Sequence, residues 1–295
     1  MSSYKKSKSG LWLRDKLVDQ RGFLPGIMPV VGPQGPPPLP QSGLTLHFDF
    51  SDISTLFKTY TPTNDPAYSD VATADGDVIR VARSIVPAAT SDFIFEDQTD
   101  STKAPILRSS TPLLGTQCLD FDGSNDRLEL ADRSGTSGIA ADTVLTASAG
   151  TIMAAFRCES LPVGGGTFQP IVATNDASFR YGLYIFNDAG TVKLLAQNFD
   201  GSYDSALGDT ISVDTNYVGM WRHEGGNIIS VLNDGTETST ASGNTSGLNL
   251  AGVRVGGGGD GSVLNGRVGE VAIWNVALSG ADLALAWSTF LAKWT

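Results

Sequence analysis

Apolar and polar residues alternate along most of the chain after residue 43, with the two-residue period of a β-strand that buries one face. The clearest case is the first segment, where Leu44, Leu46, Phe48 and Phe50 are predicted to point inward. Further strands are predicted at 78–82, 92–95, 118–122, 128–130, 150–158, 168–173, 181–186, 191–196, 217–223, 228–232, 253–255 and 267–274. Many short strands with Gly and Asp turns between them predict an all-β fold, a two-sheet antiparallel jelly-roll sandwich.

The period changes near the C-terminus, where residues 279–295 are predicted to form a short amphipathic helix. Ser279 is placed to cap it, with Asp282 three residues later in a capping-box position. The apolar stripe of this helix contains Leu283, Trp287, Phe290, Leu291 and Trp294. Trp287, Phe290 and Trp294 are predicted to bury against neighbouring subunits. The alternative is packing on the sandwich of the same chain.

Residues 1–43 show no strand alternation and contain seven prolines between residues 25 and 40. Such a segment has too little apolar surface to fold alone, so an extended arm is predicted. We therefore divide the chain into an arm (1–43), a jelly roll (44–278) and a C-terminal helix (279–295). Two Gly-Pro triplets within 32–37 suggest a homo-oligomer, a trimer if polyproline arms leave along one axis.

The charge of the chain is unevenly distributed. The arm has six basic and two acidic residues, a net charge of +4. Because the whole chain has a net charge of −11, residues 44–295 have a net charge of −15. The basic residues are Lys5, Lys6, Lys8, Arg14, Lys16 and Arg21. A basic arm on an acidic body is predicted to dock on other protein subunits. A nucleic-acid partner is not favoured, because the arm lacks a supporting motif.

No stretch of the sequence is long and apolar enough to span a membrane. The apolar run near the N-terminus is too short for a secretory signal, so synthesis in a cytoplasm without export by the usual route is expected. The two cysteines, Cys118 and Cys158, are predicted to be buried free thiols.

Four stretches, at 44–57, 119–130, 221–235 and 266–279, together resemble the laminin-G-like jelly rolls of the concanavalin A-like superfamily. The second contains the turn Phe121-Asp122-Gly123, and the last contains the strand around Glu270. The resemblance implies a concanavalin A-like fold, binding of carbohydrate or protein, and in some members structural calcium.

Related glucanases carry two glutamates around an aspartate on one strand, in a pattern like Glu-x-Asp-x-x-Glu. The corresponding strand of this chain has Glu270 alone. Glycoside hydrolysis normally uses two carboxylates, so the sequence predicts that the chain is not an enzyme. Glycan hydrolysis is kept as the disfavoured alternative.

The plan of a basic arm fused to a jelly roll resembles the tail, head-fibre and decoration proteins of phages. The sequence therefore predicts a structural or accessory virion protein, made in the host cytoplasm, whose jelly roll is displayed outward and binds a glycan on the host surface. The alternative is a soluble, lectin-like carbohydrate-binding module.

Two clusters of polar residues are candidate sites in the jelly roll. Asp120, Asp122, Asn125 and Asp126 could supply oxygen ligands to a structural calcium ion, and no other cofactor is expected. The alternative is an ordinary Asp-Gly turn with local hydrogen bonds.

The candidate glycan-binding residues lie in one predicted loop: Asn198, Phe199, Asp200, Tyr203 and Asp204. An aromatic face beside amide and carboxylate groups can hold a sugar. The alternative is a β-turn with a half-exposed aromatic residue. The two histidines, His47 and His223, lie in predicted strands, and no catalytic partner is evident for either.

Overall fold

The alternating segments form strands, and the C-terminal segment forms a helix. The computed structural model describes residues 38–59, 70–87, 89, 91–94, 101–113, 116–132, 145, 149–174, 180–199, 203–242, 252–258 and 261–295. Its strands, in chain order, are β1 (Leu44–Asp49), β2 (Leu56–Phe57), β3 (Val81–Ala82), β4 (Ser91–Ile94), β5 (Ile106–Leu113), β6 (Thr116–Asp122), β7 (Leu128–Asp132), β8 (Gly150–Cys158), β9 (Phe168–Thr174), β10 (Arg180–Asp188), β11 (Thr191–Phe199), β12 (Tyr203–Thr210), β13 (Asn216–Glu224), β14 (Asn227–Leu232), β15 (Thr238–Ala241), β16 (Val253–Val255) and β17 (Asn265–Trp274). Helix α1 spans Gly280–Trp294, and 3-10 turns span Ile53–Thr55 and Ser101–Lys103.

The strands form two antiparallel sheets. Sheet A has the order β15-β14-β13-β8-β17-β6-β5, and β1 pairs with the part of β17 that β6 does not reach. Sheet B has the order β12-β11-β10-β9-β16-β7-β4-β3-β2. The main core lies between the inner faces, where alternate residues such as Phe121, Phe156 and Trp221 are fully buried. This arrangement confirms the predicted all-β, two-sheet sandwich with a short C-terminal helix.

Strand β1 follows the predicted alternation except at its first residue. Leu46, Phe48 and Phe50 belong to the main core, as expected. The register of β1 against β17 shifts between Leu44 and Leu46, which is the signature of a bulge. Leu44 therefore lies on the opposite face. It packs against a second apolar cluster, which lies on the outer side of sheet A and includes Met153 and Trp274.

The β13–β14 hairpin turns at Gly225 and Gly226, as the sequence predicted. Glu224 pairs with Asn227, so the loop has two residues. Both glycines have positive φ, +57° and +78°, which is the conformation that a tight hairpin with right-handed strand twist requires.

Helix α1 covers the outer face of sheet A. Trp287, Phe290 and Trp294 are 3%, 0% and 1% exposed and pack with sheet residues such as Met153 and Trp274. These side chains therefore pack on the sandwich of their own chain, which was the alternative, and they do not support a subunit interface. Oligomerisation stays a prediction. Ser279 is the N-cap residue but makes no side-chain capping hydrogen bond, so the predicted capping box does not form.

Among the described residues, α1 is the longest helix, and none is long and apolar enough to cross a membrane.

The described chain begins slightly before the predicted jelly roll. Leu39 is buried in the second apolar cluster, and the carbonyl oxygen of Pro40 accepts a 2.9 Å hydrogen bond from Nε1 of the buried Trp274. Residues 39 and 40 therefore contribute to the sandwich. The division into arm, jelly roll and helix otherwise stays a prediction, and residues 1–37 lie outside the described part of the chain.

The two cysteines form no disulfide and lie on opposite faces of sheet A. Cys118 belongs to the second apolar cluster and Cys158 to the main core. Burial raises the pKa of the Cys158 thiol to about 12, so the thiol stays protonated at neutral pH.

Candidate functional site

A group of polar side chains lies between the two sheets at one end of the sandwich, where apolar core would be expected. We call this buried cluster the end cleft and define it by Tyr181, Asn198, Asp204, Trp221, His223 and Ser242, five of which are at most 7% exposed. Strands β9 and β10, β11 and β12, and β13 and β14 are joined at this end. The cleft therefore lies at the end of the sandwich where β9, β11 and β13 end and β10, β12 and β14 begin.

The strand register explains why these side chains point inward. Asn198 of β11 is opposite Tyr181 on one side and Asp204 on the other, and directly opposed residues share a face of the sheet. Tyr181 belongs to the main core, so this face is the inner one. On sheet A, His223 is two residues from the core residue Trp221 and opposite the core residue Ile228.

Hydrogen bonds and ring contacts join the two sides of the cleft. The indole Nε1 of Trp221 donates to Oδ1 of Asn198 at 3.1 Å. The Trp221 ring lies 6.3 Å from the Tyr181 ring, edge to face, and 6.2 Å from the His223 ring. Ser242 Oγ donates to Oδ2 of Asp204 at 3.0 Å. Sheet A and sheet B therefore contribute side chains to one connected site.

Three polar atoms of the cleft are buried without a hydrogen-bond partner among the described residues. They are Nδ2 of Asn198 and both ring nitrogens, Nδ1 and Nε2, of His223. The two residues are 0% and 1% exposed. Each unsatisfied buried polar group costs about 1–3 kcal/mol, and such groups are uncommon in folded proteins. A bound molecule with hydroxyl groups would satisfy these atoms.

The charge state of the cleft follows from burial. Desolvation lowers the pKa of His223, and the nearby Asp204 carboxylate acts in the opposite direction without reversing the shift. The ring is therefore neutral at neutral pH. One nitrogen of a neutral imidazole donates and the other accepts, so His223 can bind a group that does both.

The cleft contains part of the predicted glycan-binding loop. Asn198 and Asp204 lie opposite each other on β11 and β12, so they are strand residues and not residues of a loop as the sequence predicted. Tyr203 is 58% exposed and alternates with Asp204 along β12, so it lies on the outer face of sheet B. Phe199 ends β11, but its side chain and the whole of Asp200 lie outside the described residues.

His223 is the functional candidate that sequence reasoning missed. The sequence does indicate that His223 points inward, because it follows Trp221 by two residues in a predicted strand and residues two apart lie on the same face.

The four predicted calcium ligands form a turn. Asp122 Oδ1 accepts hydrogen bonds from the backbone N–H groups of Ser124 and Asn125, and Asp126 Oδ2 accepts one from the N–H of Asp122. Asp120 pairs with Arg108, whose Nε lies 2.7 Å from its Oδ2. In the described part of the chain, no three His, Cys, Asp or Glu side chains are arranged to hold a metal ion. The geometry is that of a hydrogen-bonded Asp-Gly turn, which was the alternative to a calcium site.

Burial and the neighbouring carboxylates of Asp122 and Asp120 raise the pKa of Asp126 to about 6. A cavity of about 220 Å³ lies beside this turn, lined by Arg108 and the three aspartates.

A second buried polar group surrounds Glu270 on the outer side of sheet A. Glu270 Oε1 lies 2.7 Å from Nε2 of His47, and Oε2 accepts hydrogen bonds from Nε1 of Trp294 and Nζ of Lys293. Lys293 also contacts Asp49 at 2.6 Å. His47, Lys293 and Trp294 therefore share one buried carboxylate, and two of them belong to α1. The group therefore attaches the helix to β1 and β17.

The six predicted docking residues of the arm, Lys5, Lys6, Lys8, Arg14, Lys16 and Arg21, lie outside the described residues.

No protein-family model matches the chain, and no curated protein matches it by sequence. Solved structures do match its fold. Domain 4 of AbnA, a GH43 extracellular arabinanase from Geobacillus stearothermophilus solved with arabinotriose, aligns with a TM-score of 0.51 at 14% identity, over 85% of this chain and 99% of that domain. Trypanosoma rangeli sialidase, solved with the inhibitor DANA, aligns with a TM-score of 0.52 at 12% identity, over 84% of this chain and 33% of the sialidase.

A tailspike protein of the Escherichia coli O157:H7 bacteriophage CAB120 aligns over 68% of this chain with a TM-score of 0.44, which is too low to carry an argument.

These likenesses correct the prediction that the chain is not an enzyme. The fold occurs in chains of glycoside hydrolases, an arabinanase and a sialidase, so a missing Glu-x-Asp-x-x-Glu pattern does not exclude catalysis. At 12–14% identity the likeness shows the shared fold alone and assigns no activity.

Proposed function

We propose that this protein binds carbohydrate and that the end cleft holds the sugar. The observation that carries the proposal is that Nδ2 of Asn198 and both ring nitrogens of His223 are buried between the two sheets without a hydrogen-bond partner among the described residues. Sugar hydroxyls donate and accept hydrogen bonds at once, which suits a neutral imidazole and an amide. The arabinotriose bound to the arabinanase domain of the same fold supports this class of ligand.

His223 and the amide nitrogen of Asn198 bind hydroxyl groups of the sugar. Trp221 fixes the Asn198 amide by donating to its oxygen, so the amide nitrogen is left for the ligand. Because Asp204 is half-buried while Asn198 and His223 are fully buried, the sugar enters past Asp204.

The experiment is a glycan array with the full-length protein, followed by calorimetric titration of each hit and of arabinotriose. His223→Leu removes both ring nitrogens at similar volume and should weaken binding at least tenfold, because a sugar hydroxyl then loses its partner. Tyr203→Ala is the matched control, since Tyr203 lies on the outer face, and should bind as the unmodified protein does. Equal binding by His223→Leu would refute the proposed site. Released reducing ends are measured in the same samples, since the fold occurs in glycoside hydrolases.

We propose second that the protein is a virion component of a phage, with its arm docked on other subunits and its sandwich displayed. The specific support is the charge division, +4 in residues 1–43 and −15 in the remainder. As part of this second proposal, the protein is a laminin-G-like jelly roll and assembles as a trimer. The test is incorporation into particles of the full-length protein and of a variant lacking residues 1–37. Equal incorporation of both would contradict the role of the arm.

A further inference from the structure

A groove lies on the outer side of sheet A, between α1 and the turn that joins β14 to β15. Its volume of about 390 Å³ is within the range of about 300–1,000 Å³ that is usual for binding sites. Leu283 and Leu291 are only partly buried there, so the groove presents an apolar surface. We call it the helix groove and define it by Val231, Asp234, Glu237, Leu283, Trp287 and Leu291.

The rim of the helix groove is acidic. Of the described residues that line it, two are charged, and both, Asp234 and Glu237, carry carboxylates. Glu237 lies 3.1 Å from Nη2 of Arg222, and Arg222 also contacts Glu224 at 3.5 Å. These three acidic residues and one basic residue have a net formal charge of −2. The pairing with Arg222 therefore leaves the rim negative.

The arm contains a segment of matching chemistry. Residues 4–21 include all six basic residues of the arm and both acidic ones, a net charge of +4. The same segment contains a set of apolar residues: Leu11, Trp12, Leu13, Leu17 and Val18. Apolar side chains of this segment can cover Leu283 and Leu291 while lysine or arginine faces Asp234. Complementary charges at the edge of such a contact attract the partner and set its position.

The spacer between this segment and the sandwich favours a groove on another copy. Leu39 packs beside Trp274 of β17, on the same side of sheet A as α1. Strands β17 and β14 are three positions apart in the sheet, about 14 Å at a usual strand spacing. Residues 22–38 contain six prolines, and an extended chain of 17 such residues spans roughly 50 Å. A stiff spacer that is longer than the gap disfavours binding within one chain.

We infer that residues 4–21 of one copy dock in the helix groove of a neighbouring copy. The inference rests on the second proposed function, in which the arm docks on other subunits, and adds the surface that receives it. Each copy has one arm and one groove, so the contact joins two different surfaces. Contacts of this kind can close into a ring, and a ring of three copies is the trimer of the second proposal.

The test is sedimentation of the full-length protein over a range of micromolar concentrations. The groove variant, Ala284→Lys with Ser288→Lys, places two cations at exposed positions that line the groove and should weaken self-association at least tenfold. The matched control is Ala281→Lys with Ala292→Lys, which adds the same charge at exposed positions of α1 that do not line the groove. The control should associate within threefold of the unmodified protein. Both variants should keep its unfolding midpoint.

A synthetic peptide of residues 4–21 provides a second readout. In excess it should dissociate the oligomer of the full-length protein, whereas a peptide of the same composition in scrambled order should not. Dissociation by the peptide without any effect of the groove variant would overturn the inference and leave the arm as a docking element. Equal effects of the groove and control variants would show that net charge is the cause and refute the groove. A strictly monomeric full-length protein would also overturn the inference, while incorporation into particles decides the second proposal separately.

Discussion

The indole Nε1 of Trp294 donates a 2.7 Å hydrogen bond to Oε2 of Glu270, joining the last turn of α1 to the centre of sheet A. Glu270 is 3% exposed and also contacts His47 and Lys293. Burial alone would raise the pKa of Glu270, but the hydrogen bond and charge of His47, with Lys293 and Trp294, outweigh it and hold the pKa below its usual range. The one carboxylate of this strand is therefore an ionised attachment point for the helix.

Glu270→Gln should lower the free energy of unfolding by about 1–3 kcal/mol, because the substitution removes the buried carboxylate charge that His47, Lys293 and Trp294 share, while Lys293 keeps its contact with Asp49. The measurement is urea denaturation at pH 7. The matched control is Glu224→Gln, since Glu224 is largely exposed and contacts Arg222 at 3.5 Å, and it should change stability by less than about 0.5 kcal/mol. Equal effects of the two substitutions would contradict the role of Glu270.

Gly269 provides the space that Trp294 occupies. A Cβ at this position would lie 2.4 Å from the nearest atoms of the Trp294 ring, well inside contact distance. Gly269→Ala should therefore destabilise the protein by about 1–3 kcal/mol, as overpacking of a core does. Thermal unfolding checks this, with Gly165→Ala as the control, because a Cβ there meets only one atom at 3.9 Å. If the clash is the cause, the cost of Gly269→Ala will shrink in a Trp294→Leu background.

His223→Leu should unfold at a higher denaturant concentration than the unmodified protein. The substitution removes two buried nitrogens that have no hydrogen-bond partner among the described residues, at a gain of about 1–3 kcal/mol. A loss of stability would show that the ring makes favourable contacts in the free protein.

The stability gain of His223→Leu should also depend on pH. Burial lowers the pKa of His223 in the folded state, so between that pKa and about 6.5 the unfolded chain binds a proton that the folded one does not. The histidine protein therefore loses stability as pH falls from 7 towards 5, and the gain from leucine should grow over that range. A gain that stays constant with pH would contradict a buried neutral ring.

Asp126 should produce the opposite pH dependence. Its pKa is about 6 in the folded protein, against 3.8 for an unperturbed aspartate, so the folded state holds the proton more tightly. Its contribution to stability is fully present below about pH 4 and is lost as pH rises through 6. Asp126→Asn should be less destabilised than the unmodified protein as pH rises from 4 to 7, measured by denaturation at each pH. Asp209→Asn, at an exposed position, serves as the control and should show no such difference.

The position of a truncation should decide whether the sandwich stays stable. Removing residues 1–43 takes away the Pro40 carbonyl that pairs with Trp274 and the buried Leu39, which together should cost roughly 3 kcal/mol. Removing residues 1–37 keeps both contacts and should leave the unfolding midpoint nearly unchanged. Circular dichroism of both variants during heating checks this, and equal midpoints would contradict the contribution of residues 39 and 40.

The alternation of apolar and polar residues was enough to predict the fold class, because a two-residue period turns one face of each strand inward and the glycine turns limit strand length. The sequence also determined the hairpin at Gly225 and Gly226, where positive φ at two successive positions selects glycine. The helical period at 279–295 predicted an apolar face. What that face would cover was open, because periodicity states that a stripe is buried and not what buries it.

Tertiary structure decided the rest, because pairing between distant strands selects which side chains meet. Asn198 and Asp204 are close in the chain, but the sequence placed them in one loop, and the structure places them opposite each other on two strands. Their meeting with His223 depends on the packing of two sheets, and a single bulge was enough to move Leu44 to the other face of β1. The same holds for Glu270. The sequence shows one carboxylate on a strand, and only the fold shows that His47, from the first strand, and Lys293 and Trp294, from the last helix, all contact it.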